Sequence, residues 1–340
     1  MSSDFWVATL PERLNVFADQ LVEKSEYMSW LKEKGLFVMN CGGDGFSFPV
    51  RYQEGGLVRA IGDNTVSKAK TMATAQRLTV DYRAYGAELA FSRLQDRRNK
   101  FANKSGFDYK FAEEQLNILF QEFEDYLCGD LTDDGAVDTG DEATPLDGLK
   151  NIVDTDNTYL SINRSTSGNE WWQAQTEAVT NNALDDDDGD GVVNLLYYMR
   201  KLFLETCQGA MQKGKSISRH VGGAKSKPDL VYSGLTSFTN FCTALQPQQQ
   251  YTGGKDDPGR EVAFFGVPYR WDPYAQSDRI DVLNSKALMA RVVGPELIYV
   301  DFDGPSGGSG TARLNVVGLV SQLQHFATRP SLLGFLSNTD

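Results

Sequence analysis

Two stretches of the sequence repeat apolar residues every three or four positions, which is the spacing of one helix face. The first lies within residues 107–127, and acidic residues occupy its opposite face. Its apolar stripe is Leu116, Leu119, Phe120, Phe123 and Leu127. The second lies within residues 192–212, with the stripe Leu196, Met199, Phe203, Cys207 and Ala210. The pattern predicts two long helices, the first about 30 Å in length. An acidic, glycine-containing loop is expected from Cys128 to Glu142.

A period of two residues marks residues 46–92. Phe46, Phe48, Val50 and Tyr52 alternate with polar or small residues, and Leu78, Val80 and Tyr82 do the same farther on. This alternation is typical of strands with one apolar face. It predicts a long two-stranded ribbon whose tip is the polar segment 62–75. Because an isolated hairpin is only marginally stable in water, we expect the ribbon to lie against a neighbouring copy of the chain.

The remaining pattern predicts a mixture of shorter elements, so the fold class is α+β. A helical stripe starts at Leu14 and ends near Gly35, where a glycine cluster follows. A helix is predicted at 235–245. Short strands are predicted at 229–232, 262–269, 287–293 and 297–302. Residues 312–324 form either a strand pair or one long bent strand, after a glycine-rich hairpin tip at 304–310.

Composition narrows the functional classes. Of the 340 residues, 41% are hydrophobic and 23% are charged, which is ordinary for a globular protein. An apolar run of about 18 residues, as a membrane span needs, does not occur in the sequence. The N-terminal residues have no apolar segment typical of a secretory signal. The four cysteines are widely spaced, and the two histidines are too few for the common zinc sites and for His-assisted nucleophiles.

The acidic run at 185–190 is the sharpest candidate for a metal site. Asp186, Asp188 and Asp190 fall at the first three oxygen positions of a calcium loop, which hard cations prefer. The twelfth position, however, is Tyr197, where such a loop needs a bidentate Glu. The alternative is a solvated acidic turn before a helix, where negative charge is favourable. The missing Glu favours the turn.

Other candidates for chemistry are weaker. Asp301 and Asp303 share one strand face, but no nucleophile or base lies near them in the sequence. Gly304–Gly310 lacks the Lys that ends a phosphate-binding loop. Of the adjacent Trp171 and Trp172, we expect one ring in the core and the other at an interface. No catalytic, cofactor or firm metal site is therefore predicted.

The charges are unevenly distributed along the chain, whose net charge is −13. Residues 51–104 hold 11 Lys/Arg and 5 Asp/Glu, whereas residues 105–190 hold 3 and 22. The plain interpretation is two surfaces with different charge. The sharper one is a basic ribbon that lies on an acidic patch of the next copy, as in the head-to-tail contacts that close rings. The predicted intersubunit residues are Arg51, Arg59, Arg77 and Arg83.

The order of several short motifs resembles the major capsid proteins of tailed bacteriophages, which have the Hong Kong phage-type capsid fold. The pattern begins with Tyr159 and the turn at Asn163–Arg164, passes through a Trp pair and an amphipathic helix, and reaches a strand opened by Pro–Asp. The motifs are Asn163–Arg164, Trp171–Trp172, Pro228–Asp229, Gly266 with Pro268, and Trp271–Asp272–Pro273.

The resemblance implies a domain layout for the whole chain. It consists of an N-terminal arm (1–45), an extended hairpin loop (46–100), a peripheral domain with a long spine helix (101–145), an axial domain (146–300) and a closing strand of the peripheral domain (301–340). It also implies hexamers and pentamers of an icosahedral shell around double-stranded DNA, assembled in the host cytoplasm. The implied partners are copies of the chain, a separate scaffolding protein, a portal, a candidate decoration protein, and packaged DNA bound without sequence specificity; no membrane is involved.

Two alternatives stay open. A bacterial nanocompartment shell of the encapsulin type would share the fold. A calcium-binding or carbohydrate-active protein built around Asp186–Asp190 and the tryptophans would belong to a different class. Particle formation separates both shell proteins from the calcium-binding or carbohydrate-active protein.

Overall fold

The computed structural model describes residues 24–51, 75–92, 111–133, 146–179, 190–208, 227–249, 262–301 and 314–338. The first half of the chain forms α1 (Glu26–Glu33), β1 (Phe37–Cys41), β2 (Gly45–Arg51), β3 (Ala75–Asp81), β4 (Arg83–Ser92), α2 (Phe111–Thr132), α3 (Leu149–Ile152), β5 (Thr158–Tyr159), β6 (Ile162–Asn163), a 3-10 turn (Glu170–Trp172) and β7 (Gln175–Val179). The second half forms α4 (Asp190–Gln208), β8 (Leu230–Ser233), α5 (Leu235–Gln249), β9 (Ala263–Phe264), β10 (Val267–Trp271), β11 (Arg279–Leu283), β12 (Leu288–Val293), β13 (Tyr299–Asp301), β14 (Leu314–Ala327), a 3-10 turn (Pro330–Leu332) and β15 (Gly334–Asn338).

The first sheet is organised around the long strand β14. Its order is β1-β12-β14-β13, and β4 pairs antiparallel with β14 from Ser92↔Leu314 to Arg83↔Leu323. The apolar stripe of α2 covers this sheet: Phe120, Phe123 and Leu127 pack in one buried cluster with Val292 and Leu323. The predicted amphipathic helix is therefore confirmed, and its apolar face forms half of this core.

The second sheet has the order β7-β15-β11-β8-β10-β9 and carries α4 and α5. Residues Leu202 and Phe203 of α4 are buried in one cluster with Phe241 of α5. Close approach of α4 to β15 depends on Gly334, where an added Cβ would lie 2.7 Å from Thr206 Cγ2 and 2.8 Å from Leu202 Cδ1. A larger residue at this position would push the helix off the sheet.

Helix α1 lies between the two sheets. Its N-cap is Ser25, whose hydroxyl accepts a hydrogen bond from the Met28 amide, and it ends before Gly35, which has a positive φ of 64°. Met28 belongs to the α2 cluster, whereas the fully buried Trp30 packs in the cluster beside the second sheet. Within the predicted arm, residues 26–33 thus form a helix that packs in both clusters, and residues 37–41 form a strand of the first sheet. Residues 1–23, including the stripe from Leu14, lie outside the described residues.

Three other predictions need correction. Helix α2 continues to Thr132, because Cys128 and Leu131 are buried and extend its apolar face, so the loop does not begin at Cys128. The strand predicted at 262–269 is a small hairpin, since Phe265 and Gly266 have positive φ values and reverse the chain. Of the two possibilities for 312–324, the single long strand is correct.

The other predicted elements are confirmed: α4, the strand at 230–233, α5, β12 and β13 lie close to their predicted positions. Among the described helices, none combines the length and apolar character that a membrane crossing requires.

Candidate assembly elements

The predicted ribbon is confirmed for β2 and β3, and its base is fixed to its own chain. Residues 83–92, which the sequence placed in the same ribbon, instead pair with β14 of the first sheet. The strands pair antiparallel from Gly45↔Asp81 to Arg51↔Ala75. The rings of Phe46 and Phe48 lie 4.6 Å and 5.1 Å from that of the buried Phe326 on β14. The guanidinium of Arg291 lies 4.2 Å from the centre of the Phe46 ring, a cation–π contact that orients the ring.

Other apolar residues of the ribbon, on β2 and β3, are buried as well. Val50, Leu78 and Val80 expose 6%, 3% and 2% of their surface. The expectation that this apolar face packs on a neighbouring copy is therefore wrong for the base of the ribbon, because the chain's own core covers it. The tip at 62–75 lies outside the described residues, apart from Ala75.

The four predicted intersubunit arginines lie in different surroundings. Arg77 is exposed, and its Nε donates to Ser47 Oγ across the ribbon at 2.6 Å. Arg83 is half-buried, and its charge acts on Asp147 of the same chain, partly offsetting the rise that burial causes in the pKa of that carboxyl. Arg51 ends β2, and Arg59 lies outside the described residues. Arg77 is thus directed away from the core, whereas the charge of Arg83 already interacts with Asp147 of its own chain.

The turn at Asn163–Arg164 is a compact unit built around one buried arginine, whereas Asn163 itself is exposed. Strands β5 and β6 form a small hairpin whose turn residues Leu160 and Ser161 have positive φ values of 49° and 67°. The fully buried Arg164 follows it. Nη2 donates to Ile152 O at 2.8 Å, while Nη1 lies 2.9–3.0 Å from Asn151 O, Asp154 O and Asn157 Oδ1.

The tryptophan pair belongs to the same unit. The ring of Trp172 is buried and stacks on Tyr159 at 5.9 Å, and its Nε1 donates to Tyr159 O at 3.2 Å. The Arg164 guanidinium also lies over the Tyr159 ring, 4.6 Å from its centre. Trp171 is half-buried. One ring is thus in the core as predicted, and the interface role of the other stays a prediction.

Asp272, in the Trp–Asp–Pro motif, fixes α1 to the second sheet. Its carboxylate is fully buried and accepts from Ser25 Oγ at 2.9 Å, from the Tyr27 amide at 3.4 Å and from the Tyr274 amide at 3.0 Å. The sequence marked the motif but not this role, because the partner Ser25 is almost 250 positions away in the chain.

A second buried group that the sequence analysis missed is the pair Arg279–Asp281 on β11. Arg279 Nε donates to Asp281 Oδ1 at 2.8 Å, and its other end donates to Val153 O. Burial raises the pKa of Asp281, and the neighbouring Arg279 opposes that rise. The sequence signal for this pair was two opposite charges, Arg279 and Asp281, spaced two residues apart in an apolar stretch.

Only the last residue of the acidic run lies in the described part of the chain, so the candidate calcium loop stays untested. Asp190 is the first residue of α4, whereas Asp186 and Asp188 lie outside the described residues. Among the described residues, no three His, Cys, Asp or Glu side chains are grouped as metal ligands.

Comparison of the whole structure with solved structures decides the fold. The capsid of Myoviridae phage XM1 matches over 91% of both chains with a TM-score of 0.55 and 13% identity. The cyanophage A-1(L) capsid matches 91% of this chain and 92% of its own with a TM-score of 0.60 and 12% identity. The mature capsid of bacteriophage PhiM1 matches 89% of this chain and 85% of its own, with a TM-score of 0.53 and 10% identity. No protein-family model and no curated protein matches the sequence.

The chain has the phage capsid fold. The α+β class and the Hong Kong phage-type capsid fold predicted from the motif order are confirmed. Within the capsid fold, α2 is the predicted spine helix, and β2–β3 is the base of the predicted extended hairpin loop. The domain boundaries at 45, 100, 145 and 300 stay predictions.

Proposed function

We propose that this chain is the major capsid protein of a tailed bacteriophage, which assembles into hexamers and pentamers of an icosahedral shell around double-stranded DNA. The observation that carries the proposal is the match of about nine-tenths of the chain to capsid structures that are themselves covered to a similar extent.

The ribbon supports this role through its geometry. Its base is held by Phe326 and Arg291 of the same chain, so the direction in which the ribbon leaves the body is fixed. Arg77 is exposed on it, in the segment where positive charge predominates. A ribbon with a fixed base and a basic surface is suited to reach an acidic surface of the next copy.

The charge balance supports enclosure of DNA without tight binding. A net charge of −13 disfavours broad contact with phosphates, which needs clustered Lys and Arg. The proposed partners are copies of the chain, a separate scaffolding protein, a portal, a decoration protein and the packaged DNA. The proposed location is the virion, after assembly in the host cytoplasm. No catalytic role is proposed.

Expression of the protein with and without a scaffolding partner tests the proposal. We expect capsomer rings or shells in negative-stain images, and megadalton species in sedimentation. Purification of particles filled with protein cargo instead of DNA would favour a nanocompartment shell. A chain that stayed strictly monomeric at high concentration, even with scaffold, would contradict both shell functions.

A further inference from the structure

The outer face of α2 carries a stripe in which two apolar side chains flank an acid. We name Ile118, Glu122 and Tyr126 the acidic stripe. Ile118 and Tyr126 are each 40% exposed, although the opposite face of the helix is buried. Glu122 is exposed and forms no ion pair with a described residue. Because the three residues are four apart, they follow one side of the helix over about 12 Å.

The outer face of α4 carries a stripe of the same design and the opposite charge. We name Tyr197, Arg200, Lys201 and Leu204 the basic stripe. Tyr197 is 62% exposed and Leu204 is 56% exposed, and they lie seven residues apart, or about 11 Å. Lys201 binds Glu177 at 2.7 Å, whereas Arg200 forms no ion pair with a described residue. Arg200 is thus the available positive charge at the centre of the stripe.

The two stripes are complementary in length, order and charge. Each has an apolar residue at both ends and a charge near the middle, so Glu122 meets Arg200 when the apolar ends meet. Large apolar side chains that are exposed in a row with a charged residue indicate a docking surface more than a solvated helix face. Both stripes are exposed in a single chain, so neither covers the other there.

We propose that the acidic stripe of one copy packs on the basic stripe of the next copy around the capsomer ring. Ile118 and Tyr126 then lie against Tyr197 and Leu204, with the helix axes about 8–10 Å apart. The contact joins two different surfaces, and a contact of this kind closes into a ring when its rotation divides a full turn. The inference rests on the proposed shell function and assigns residues to one part of its interface.

Charge exchange tests the central pair. Glu122→Arg and Arg200→Glu should each weaken ring formation about fivefold per contact, the upper effect of an exposed ion pair. The double variant should recover most of the loss, because the opposite charges meet again in reversed order. Asp278→Arg and Lys286→Glu, which change exposed charges elsewhere, are the matched controls and should assemble like the wild type. Sedimentation velocity at low salt gives the fraction in rings.

Cross-linking tests the proximity of the apolar ends. Ile118→Cys is mixed with either Tyr197→Cys or Leu204→Cys and treated with a mild thiol oxidant, and one of the mixtures should form a disulfide-linked dimer. Gln121→Cys mixed with Thr243→Cys, two exposed positions off the stripes, is the control for the four native cysteines.

The outcomes separate the two claims. If the wild type forms rings, but the reversals are neutral and no dimer exceeds the control, the stripe contact is wrong and the shell function stands. If the wild type forms no assembly under any condition, both are wrong. Recovery in the double variant together with a stripe-specific dimer supports the contact.

Discussion

Arg164 is a fully buried guanidinium whose hydrogen bonds go to one short segment, residues 151–157. Burial lowers its pKa to about 10, which is still far above neutral pH, so the side chain stays charged. A charged, planar group with several donors suits three converging carbonyl oxygens better than a single ammonium does. The loop between α3 and β5 therefore takes its shape from this residue.

Replacement of Arg164 should destabilise the unassembled subunit strongly. Arg164→Met leaves buried carbonyl groups without donors, and we expect a loss of about 3 kcal/mol in the free energy of unfolding. Arg164→Lys should lose less, since it keeps the charge. Denaturant unfolding checks this, with the exposed Arg200→Met as a control that should change stability by less than about 0.5 kcal/mol. Equal effects at the two arginines would contradict the role of Arg164.

Asp130 is a buried acid near the C-terminal end of α2. Its Oδ2 accepts from the Tyr85 hydroxyl at 2.8 Å, and its Oδ1 has no hydrogen-bond partner among the described residues. Burial raises the pKa of Asp130, the Tyr85 bond opposes the rise, and Asp133 adds to it. A negative charge near a helix C-terminus is unfavourable as well. The surroundings of Asp130 thus disfavour its ionised form.

Asp130→Asn should stabilise the subunit at neutral pH by about 1 kcal/mol. Because the folded pKa is raised, the wild type is most stable where Asp130 is protonated, below its ordinary pKa, and loses stability as pH rises through the folded pKa. The advantage of the variant should therefore be near zero at about pH 3.5 and grow toward neutral pH. Thermal unfolding from pH 3.5 to 8 measures it. An advantage that is constant with pH would show that the charge is not the cause.

At the scale of elements, α1 is held at both ends by charges and at its start by Asp272. Lys24 pairs with Glu124 at 2.7 Å, and Arg270 reaches Glu26 and Glu33 at 3.3 Å and 3.2 Å. The ion pairs of Arg270 with the exposed Glu26 and Glu33 contribute little individually, whereas the carboxylate of Glu124 is buried. The buried cap is the more important contact, because Asp272 satisfies donors that have no access to water.

Asp272→Ala should loosen α1 without unfolding the sheets. We expect faster hydrogen exchange in a peptide covering residues 24–35 and unchanged exchange in the middle of β14. Ser25→Ala removes the helix cap and one of the donors to Asp272, and it should cost about 1 kcal/mol, with a smaller rise in exchange. If the α1 peptide kept full protection in Asp272→Ala, apolar burial of Tyr27 and Trp30 alone would account for docking.

The sequence was sufficient for elements with a strong period of their own. The stripes of α2 and α4 and the alternation of β2 and β3 depend on local spacing, so they appeared without tertiary information. Strands β7, β11 and β15 were missed. In β11, Arg279 and Asp281 alternate with apolar residues as if one face were exposed, although all five residues of the strand are buried. The packing of α1 was missed for a different reason: its partners, including Asp272, are distant in the chain.

The same division applies to the candidate site. The excess of basic residues in 51–104 is a property of composition and was visible at once. That Arg83 acts on Asp147 of its own chain depends on pairing of β4 with β14, and local sequence gives no sign of that pairing.

At the scale of the whole molecule, the uneven charge predicts that assembly depends on salt. Raising the salt from 0.1 M to 1 M shortens the Debye length from about 10 Å to about 3 Å and should slow assembly. The double reversal Arg59→Glu and Arg77→Glu should impair assembly at low salt and leave the helical circular dichroism of the subunit unchanged. Light scattering follows the rate, and Lys286→Glu is the control. A rate indifferent to both salt and reversal would leave apolar packing as the main cause of assembly.

Strands β14 and β15 have a consequence for the way the protein is made. Strand β14 runs through the middle of the first sheet, and β15 lies between β7 and β11 in the second. Both come from residues 314–338, so during translation neither sheet closes until this region has left the ribosome. We expect nascent and shortened chains to hold α2 and α4 on incomplete cores and to offer no ordered surface to a neighbour. The order of synthesis would then keep unfinished subunits out of a growing particle.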